Sequence, residues 1–114
     1  MDDDVVYIDV AEGIKRVMNN SKLYVKLLAK FKDDKNLADL DEALAAGDLQ
    51  KAKASAHTLK GLAANLSLAE LFKQSLELET QIKAGSVNPD QTAIVKKVYA
   101  QTLIETDKVI TQYA

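Results

Sequence analysis

The sequence predicts an all-α protein. Its 114 residues include a single Pro and only four Gly, whereas Ala, Leu, Lys, Glu and Gln, which favour helices, are abundant. Apolar residues recur at intervals of three and four along most of the chain, as on one face of a helix. We therefore expect an antiparallel four-helix bundle with one or two additional N-terminal helices, in a single domain spanning residues 1–114.

The first two predicted helices each begin at a capping residue. Asp9 can accept backbone N–H groups at the start of the first helix, and Glu12 completes a capping-box pattern. This helix is expected to end near Met18, and Ser21 is the predicted cap of the second. The apolar stripe of the second helix comprises Leu23, Tyr24, Leu27, Leu28 and Phe31. The polar residues that interrupt it are Asp33, Asp34 and Asn36.

Helices three and four are expected to meet at a glycine. Gly47 can adopt the left-handed conformation that ends the third helix, and Asp48 directly caps the fourth. The apolar residues of the third helix are Leu37, Leu40, Ala43 and Leu44. Those of the fourth, at the spacing of a bundle helix, are Leu49, Ala52, Ala56, Leu59, Ala63 and Leu66.

The fifth and sixth helices are separated by the clearest loop in the sequence, Gly85 to Asp90. Ser67 is the predicted cap of the fifth helix, and the sixth runs from about Asp90 to near Tyr113. The stripe of the fifth comprises Leu68, Leu71, Phe72, Ser75, Leu78 and Ile82. The apolar face of the sixth comprises Ile94, Val95, Val98, Tyr99, Leu103, Val109 and Ile110.

Composition excludes several classes of function. The 15 Lys and Arg against 17 Asp and Glu give a net charge of -2, which disfavours nucleic-acid partners. The absence of Cys excludes disulfides and thiolate metal sites, and the one His allows at most one imidazole ligand, so we expect no bound metal or cofactor. No apolar run reaches the roughly 18 residues of a membrane span. We expect a cytoplasmic monomer without membrane contact.

Two acidic runs are expected to be solvated rather than metal-binding, because metal ligands must converge. One is the start of the chain, where Asp2, Asp3 and Asp4 also contrast with the basic start of a signal peptide. The other is Asp33 with Asp34.

His57, the only histidine, is expected to face outward. At about 100° per residue, its position lies more than a quarter turn from the apolar stripe of its helix. Its neighbours on that side are small, polar or cationic: Gln50, Lys53, Ala54, Lys60, Gly61 and Ala64. Gly61 is unusual, because glycine inside a helix costs about 0.5–1 kcal/mol relative to alanine.

This pattern suits phosphoryl transfer. A neutral imidazole nitrogen is nucleophilic, Lys60 supplies a cation at i+3, and Gly61 removes a side chain that would block a partner. The alternative is an ordinary surface histidine beside a lysine. Since no P-loop, acidic pair or general base accompanies His57, neither hydrolysis nor ATP-dependent kinase activity is expected.

The segment Ala56-His57-Thr58-Leu59-Lys60-Gly61-Leu62-Ala63-Ala64-Asn65-Leu66 resembles the signature of histidine-containing phosphotransfer (HPt) domains of multistep phosphorelays. The positions that extend the resemblance are Asp9, Tyr24, Leu28, Phe31, Gly47-Asp48 and Leu78-Glu79. The resemblance implies that His57 accepts a phosphoryl group from an aspartyl phosphate and passes it to another receiver Asp. The implied partners are receiver domains of a hybrid sensor histidine kinase and of a response regulator, with Mg²⁺ held by the receiver.

The resemblance also implies roles for individual residues. Lys60 would stabilise the phosphoryl group, and Gly61 would give access. A hairpin folding back near Ser67 would place residues close to Glu77 through Glu79 opposite His57. Family members often have a polar side chain at the position of Glu79, which here either orients the imidazole or is an ordinary solvated acid. Lys83 is either a further source of positive potential or a plain surface lysine. The expected docking residues are Gln50, Lys53, Ala54 and Ala64.

One position departs from the family pattern, and two alternative functions stay open. Ser67 stands where the family usually has Gly, so we expect a cap or a tighter turn there. The main alternative is a helical module that docks to receiver domains without phosphotransfer. The phosphoacceptor domain of a chemotaxis-type kinase is disfavoured by chain length, unless the sequence is an excised fragment.

Overall fold

The computed structural model describes residues 5–113, which form six helices. They are α1 (Val10–Arg16), α2 (Ser21–Phe31), α3 (Asn36–Ala45), α4 (Leu49–Asn65), α5 (Ala69–Lys83) and α6 (Pro89–Tyr113). The described residues contain no strand, so the all-α class is confirmed. Asp2, Asp3 and Asp4, which we predicted to be solvated, lie outside the described residues.

The four-helix bundle is confirmed, with one corner made of two helices. α4, α5 and α6 fill three corners, and the fourth is made by α2, which packs against α6, and by α3, which packs chiefly against α4. Three polar contacts join this fourth corner to α6. They are the ion pair of Lys32 with Asp107, the hydrogen bond from the Tyr99 hydroxyl to the Asp34 carbonyl at 3.3 Å, and the ion pair of Lys96 with Asp41 at 2.7 Å. Of the first two helices, only α1 is additional to the bundle, because α2 packs into it.

The core consists of apolar side chains from α2 to α6 and the α4–α5 turn. Its members are Tyr24, Leu28, Phe31, Leu40, Ala43, Ala52, Ala56, Leu59, Ala63, Leu66, Leu68, Leu71, Leu78, Ile82, Val95, Val98, Tyr99 and Val109. Three residues of the predicted stripes, Leu23, Leu49 and Ile94, are instead 41% exposed. Tyr24 faces inward next to Leu23, and Val95 faces inward next to Ile94. Leu49 is the first residue of its helix.

Most helix ends follow the local signals in the sequence. Asp9 and Asp48 cap α1 and α4 by accepting the backbone N–H groups of Glu12 and Lys51. Gly47 has φ 73°, as expected for a residue that ends a helix. α6 begins at Pro89, one residue before the predicted start.

Two predicted features of the first turns are wrong. Asn20 caps α2, one residue before the predicted Ser21, and accepts the N–H of Leu23 at 3.0 Å. The capping box of α1 is only half formed, because the Glu12 carboxylate pairs with Arg16. The Asp9 N–H that Glu12 would have bound donates instead to the Ser67 carbonyl at 2.9 Å.

The prediction that Ser67 caps α5 is also wrong. Ser67 has φ 58°, a left-handed conformation, and its hydroxyl has no hydrogen-bond partner. The N–H of Leu68 bonds back to the carbonyl of Ala63 at 2.9 Å. This is the pattern that ends helices and usually has Gly at the left-handed position. Ser67 therefore ends α4 in a left-handed conformation, which is energetically unfavourable for a residue with a side chain.

Candidate functional site

His57 lies on the outer surface of α4. The small buried residues Ala52, Ala56 and Ala63 let the opposite face of the helix pack closely in the bundle. The His57 side chain is 68% exposed, on the side where the helical periodicity placed it. A protein partner can therefore reach the imidazole ring without any change in the bundle.

Glu79 of α5 connects His57 to Lys60. Its Oε2 lies 2.8 Å from His57 Nδ1, and its Oε1 accepts a hydrogen bond of 2.7 Å from Lys60 Nζ. Only 2% of the Glu79 side chain is exposed. This burial rules out the ordinary solvated acid, one of the two interpretations of Glu79 that the sequence left open.

The Glu79 carboxylate is ionised at neutral pH. Burial raises its pKa, but hydrogen bonds from Lys60 and His57, with the charges of Lys60 and Lys83, outweigh burial and lower the pKa below the ordinary 4.5. An ionised carboxylate can only accept hydrogen bonds, so His57 Nδ1 carries the proton in this contact. The lone pair of the neutral ring is then on Nε2, which is the nucleophilic nitrogen.

Gly61 leaves an open space beside the ring. A Cβ built at this position would meet no atom within 4 Å. The packing of the chain therefore gives no reason for a glycine that costs about 0.5–1 kcal/mol inside a helix. The absence of a side chain matters on the outer side, where a partner would approach.

Three of the four predicted docking residues line an open cleft beside His57 and Glu79. The cleft has a volume of about 420 Å³ and is lined by Gln50, Lys53, Ala54, His57, Glu79 and Lys83. Lys83 Nζ lies 4.0 Å from Glu79 Oε2, so Lys83 contributes charge to the cleft. Ala64 is separate, since it lines a second depression further along α4.

Leu76 is an exposed apolar residue that the sequence interpretation overlooked. It lies on α5 one turn before Glu79 and is 42% exposed. The signal was present in the sequence, because Leu76 is a large apolar residue outside the predicted stripe of its helix. Leu76 adds an exposed apolar group to α5, one turn from Glu79.

Residues 5–113 contain no cluster of three or more potential metal-ligating side chains. The same residues include no helix with the length and apolar composition needed to cross a membrane.

Comparison with known proteins identifies the family. No curated protein and no solved structure matches the chain. The family model of the Hpt domain, however, matches residues 26–109, which include His57, Lys60, Gly61 and Glu79. The match spans most of the chain and confirms the resemblance of the His57 segment. The chain therefore belongs to the Hpt domain family.

Proposed function

We propose that the protein is a phosphorelay intermediate in which His57 accepts a phosphoryl group from a receiver-domain aspartyl phosphate and passes it to another receiver Asp. Family membership supports a histidine phosphotransfer module. The observation that carries the assignment to His57 is its bond to Glu79. An exposed ring held by a buried, ionised carboxylate has Nε2 free for reaction.

In the proposed transfer this chain supplies the imidazole nucleophile, and the receiver supplies the aspartyl phosphate. The lone pair of His57 Nε2 attacks phosphorus, the bond from phosphorus to the aspartyl oxygen breaks, and the aspartate leaves with the electron pair. Nδ1 keeps its proton, so the phosphorylated ring becomes cationic beside Glu79, 2.8 Å away, which stabilises that charge. Attack by the second receiver's carboxylate reverses these steps and restores the neutral ring.

Lys60 stabilises the transferred group in this proposal. Negative charge is spread over the three phosphoryl oxygens during transfer, and a nearby cation lowers the energy of that state. Lys60 is 21% exposed and is held beside the ring by its bond to Glu79. Gly61 provides the space through which the receiver's aspartate approaches.

The partners are receiver domains of a hybrid sensor histidine kinase and of a response regulator. Receiver sites that hold Mg²⁺ are rich in carboxylates, since carboxylates are the ligands that Mg²⁺ prefers. The lysines around His57, namely Lys53, Lys60 and Lys83, are complementary in charge to such a site. The metal belongs to the receiver, and the chain acts as a cytoplasmic monomer without kinase activity of its own.

The test is phosphotransfer from a panel of phosphorylated receiver domains to wild type and His57→Gln. Label that is acid-labile and base-stable on wild type, and absent from His57→Gln, is the expected result. Lys51→Gln is the matched control, since it places the same side chain on an exposed site of α4, and it should be labelled like wild type.

Two results would contradict the proposal. Undiminished labelling of His57→Gln would place the phosphoryl group on another residue. Binding of receivers to wild type without labelling would favour the docking module that acts by occupancy alone. Circular dichroism checks the fold of His57→Gln, which should be retained because the ring is 68% exposed.

A further inference from the structure

Positive charge is concentrated in one segment of the chain. Residues 15–32 contain six Lys and Arg and no Asp or Glu, whereas the rest of the chain contains nine Lys and Arg against 17 Asp and Glu. The segment covers the end of α1, the turn that follows and all of α2. Its cationic residues are Lys15, Arg16, Lys22, Lys26, Lys30 and Lys32. A protein with a net charge of -2 therefore has one strongly basic side.

Three of these lysines form a row along α2, here called the basic face: Lys22, Lys26 and Lys30. They follow one another at intervals of four residues, or about 6 Å along the helix, and all three are exposed. At about 100° per residue, the row lies on the side of α2 opposite the core. The buried residues on the core side are Tyr24, Leu28 and Phe31. Within residues 5–113, ion pairs engage Arg16 and Lys32 of the segment but no lysine of the basic face.

Two exposed apolar side chains accompany the basic face. Met18 lies in the turn between α1 and α2, has φ 58° and is 90% exposed. Leu23 is 41% exposed and precedes Lys26 by three residues, so the two side chains share one side of α2. Neither Met18 nor Leu23 belongs to the core. The basic side of the protein thus presents apolar groups that the rest of the described chain does not cover.

The basic face is directed away from the His57 site. α2 packs against α6, α6 packs against α5, and α5 packs against α4. α2 also borders α4, because Leu27 and Leu62 line one depression between these helices. α2 and α5 therefore occupy diagonal corners of the bundle. Since His57 contacts Glu79 of α5, a partner bound to the outer side of α2 leaves the imidazole ring accessible.

We propose that the basic face binds the surface of an anionic lipid membrane, with Met18 and Leu23 entering its interfacial layer. Clusters of about four to eight Lys or Arg on a helix are attracted to acidic headgroups, which give the cytoplasmic leaflet its negative charge. Exposed apolar groups beside the cations favour a membrane over a nucleic acid, which would require only cations and stacking aromatic rings. Both aromatic residues of α2 are buried. A surface contact needs no apolar run of spanning length, so the lack of one in the sequence does not argue against it.

The expected attachment is weak and reversible. Each Lys or Arg near an anionic membrane raises the binding constant about fivefold. The basic face and exposed Lys15 together contribute about 600-fold, and insertion of Met18 adds about tenfold. The resulting binding constant, on the order of 10⁴ M⁻¹, is that of a single myristoyl chain.

The test is cosedimentation of the full chain with vesicles of phosphatidylcholine that contain about 30% phosphatidylglycerol, at about 0.1 M NaCl. Half of the wild-type protein should bind at about 0.1 mM accessible lipid, and vesicles of pure phosphatidylcholine should bind none. The triple variant Lys22→Gln, Lys26→Gln, Lys30→Gln should bind about 100-fold more weakly. Met18→Ser should bind about tenfold more weakly and keep its fold, since Met18 is 90% exposed.

The matched control is the triple variant Lys51→Gln, Lys73→Gln, Lys97→Gln. It removes the same charge from exposed positions of α4, α5 and α6, and it should bind vesicles like wild type. Absence of wild-type binding to the anionic vesicles, or equal weakening by both triple variants, would overturn the proposal. Displacement from vesicles by duplex DNA, together with unchanged binding of Met18→Ser, would indicate a general polyanion surface and contradict the assignment to lipid.

The membrane contact and the proposed phosphotransfer are tested separately. Phosphoramidate, a small donor that needs no docking, should label His57 at the same rate in wild type and in the basic-face variant. If a receiver labels His57 but wild type does not bind anionic vesicles, the membrane contact is refuted and the phosphotransfer function stands. If vesicles bind but no receiver labels His57, the proposed function fails and the membrane contact stands.

Discussion

Replacing Glu79 with Gln tests how the buried carboxylate controls His57. The amide keeps the shape of the side chain but removes one acceptor oxygen and the negative charge. If the remaining oxygen accepts from Lys60, the NH₂ group faces His57 Nδ1 as a donor. The ring then favours a lone pair on Nδ1 and a proton on Nε2, which removes the nucleophile that transfer requires.

The expected magnitude follows from the two contacts of the carboxylate. The distances of 2.8 Å to His57 Nδ1 and 2.7 Å to Lys60 Nζ are those of charge-assisted hydrogen bonds. Each such bond contributes about 1.5–3 kcal/mol. Loss of the bond to the reacting ring should slow phosphotransfer by roughly 10- to 100-fold, since about 1.4 kcal/mol corresponds to a factor of ten. Lys60 keeps its hydrogen bond to the amide oxygen but loses the negative charge of the acceptor, so the free energy of unfolding should fall by about 1 kcal/mol.

The assay is single-turnover phosphotransfer from a saturating phosphorylated receiver, with nitrogen NMR of the ring as a second readout. Glu77→Gln is the matched control, because Glu77 is exposed on the same helix and, among residues 5–113, its side chain hydrogen-bonds with Gln81 alone. It should transfer at the wild-type rate. A wild-type rate for Glu79→Gln, or NMR evidence for the Nδ1–H form in that variant, would refute the reasoning.

Three further predictions concern stability. Ser67→Gly should raise the free energy of unfolding by about 1 kcal/mol, because relief of the left-handed conformation and of the unpartnered hydroxyl exceeds the entropy cost of glycine; a lower urea midpoint would contradict this. Gly13→Ala should destabilise by about 1–2 kcal/mol, because its Cβ would overlap the buried Tyr24 ring and outweigh the gain in helix propensity. Faster hydrogen exchange in α1 should accompany it, and a higher melting temperature would count against the argument. The lowered pKa of Glu79 means that its ionised form stabilises the fold above the ordinary pKa of 4.5 and that this stabilisation is lost as pH falls through the folded-state value. The difference in melting temperature between wild type and Glu79→Gln should therefore shrink below about pH 4.5, and a constant difference down to pH 3 would be inconsistent with this linkage.

The sequence predicted the helices well because their ends depend on local chemistry. Asp9, Gly47 and Asp48 act within a few residues of their own positions, and the structure confirms each of them. Ser67 shows where local chemistry fails. A serine between two helices favours a cap, but the hairpin requires a left-handed residue at that point, and this tertiary requirement decides its conformation.

In the candidate site, too, positions set by one helix could be predicted, whereas a position set by the packing of two helices could not. His57 and Lys60 are three residues apart on one helix, so their proximity follows from helical geometry alone. The position of Glu79 depends on the register of two helices, which a hairpin fixes only approximately. Its burial could not be read from the sequence, because an acidic residue that is 2% exposed is rare unless it is paired. The charges that allow this burial come from the other helix and from Lys83, one turn further along α5.

The positive charge around His57 is similar in size to the negative charge that a phosphoryl group would bring. Around His57, the three lysines Lys53, Lys60 and Lys83 exceed the one carboxylate of Glu79 by two charges, and a phosphoryl group brings nearly two negative charges. Because Lys53 and Lys83 are exposed, water and salt screen much of this attraction. In the relay that we propose, these charges would therefore stabilise a phosphoryl group on His57 without holding it so strongly that a second receiver could not remove it. Glu79, in contrast, is screened little because it is buried, so in the proposed relay it would keep the ring oriented while the phosphoryl group arrives and leaves.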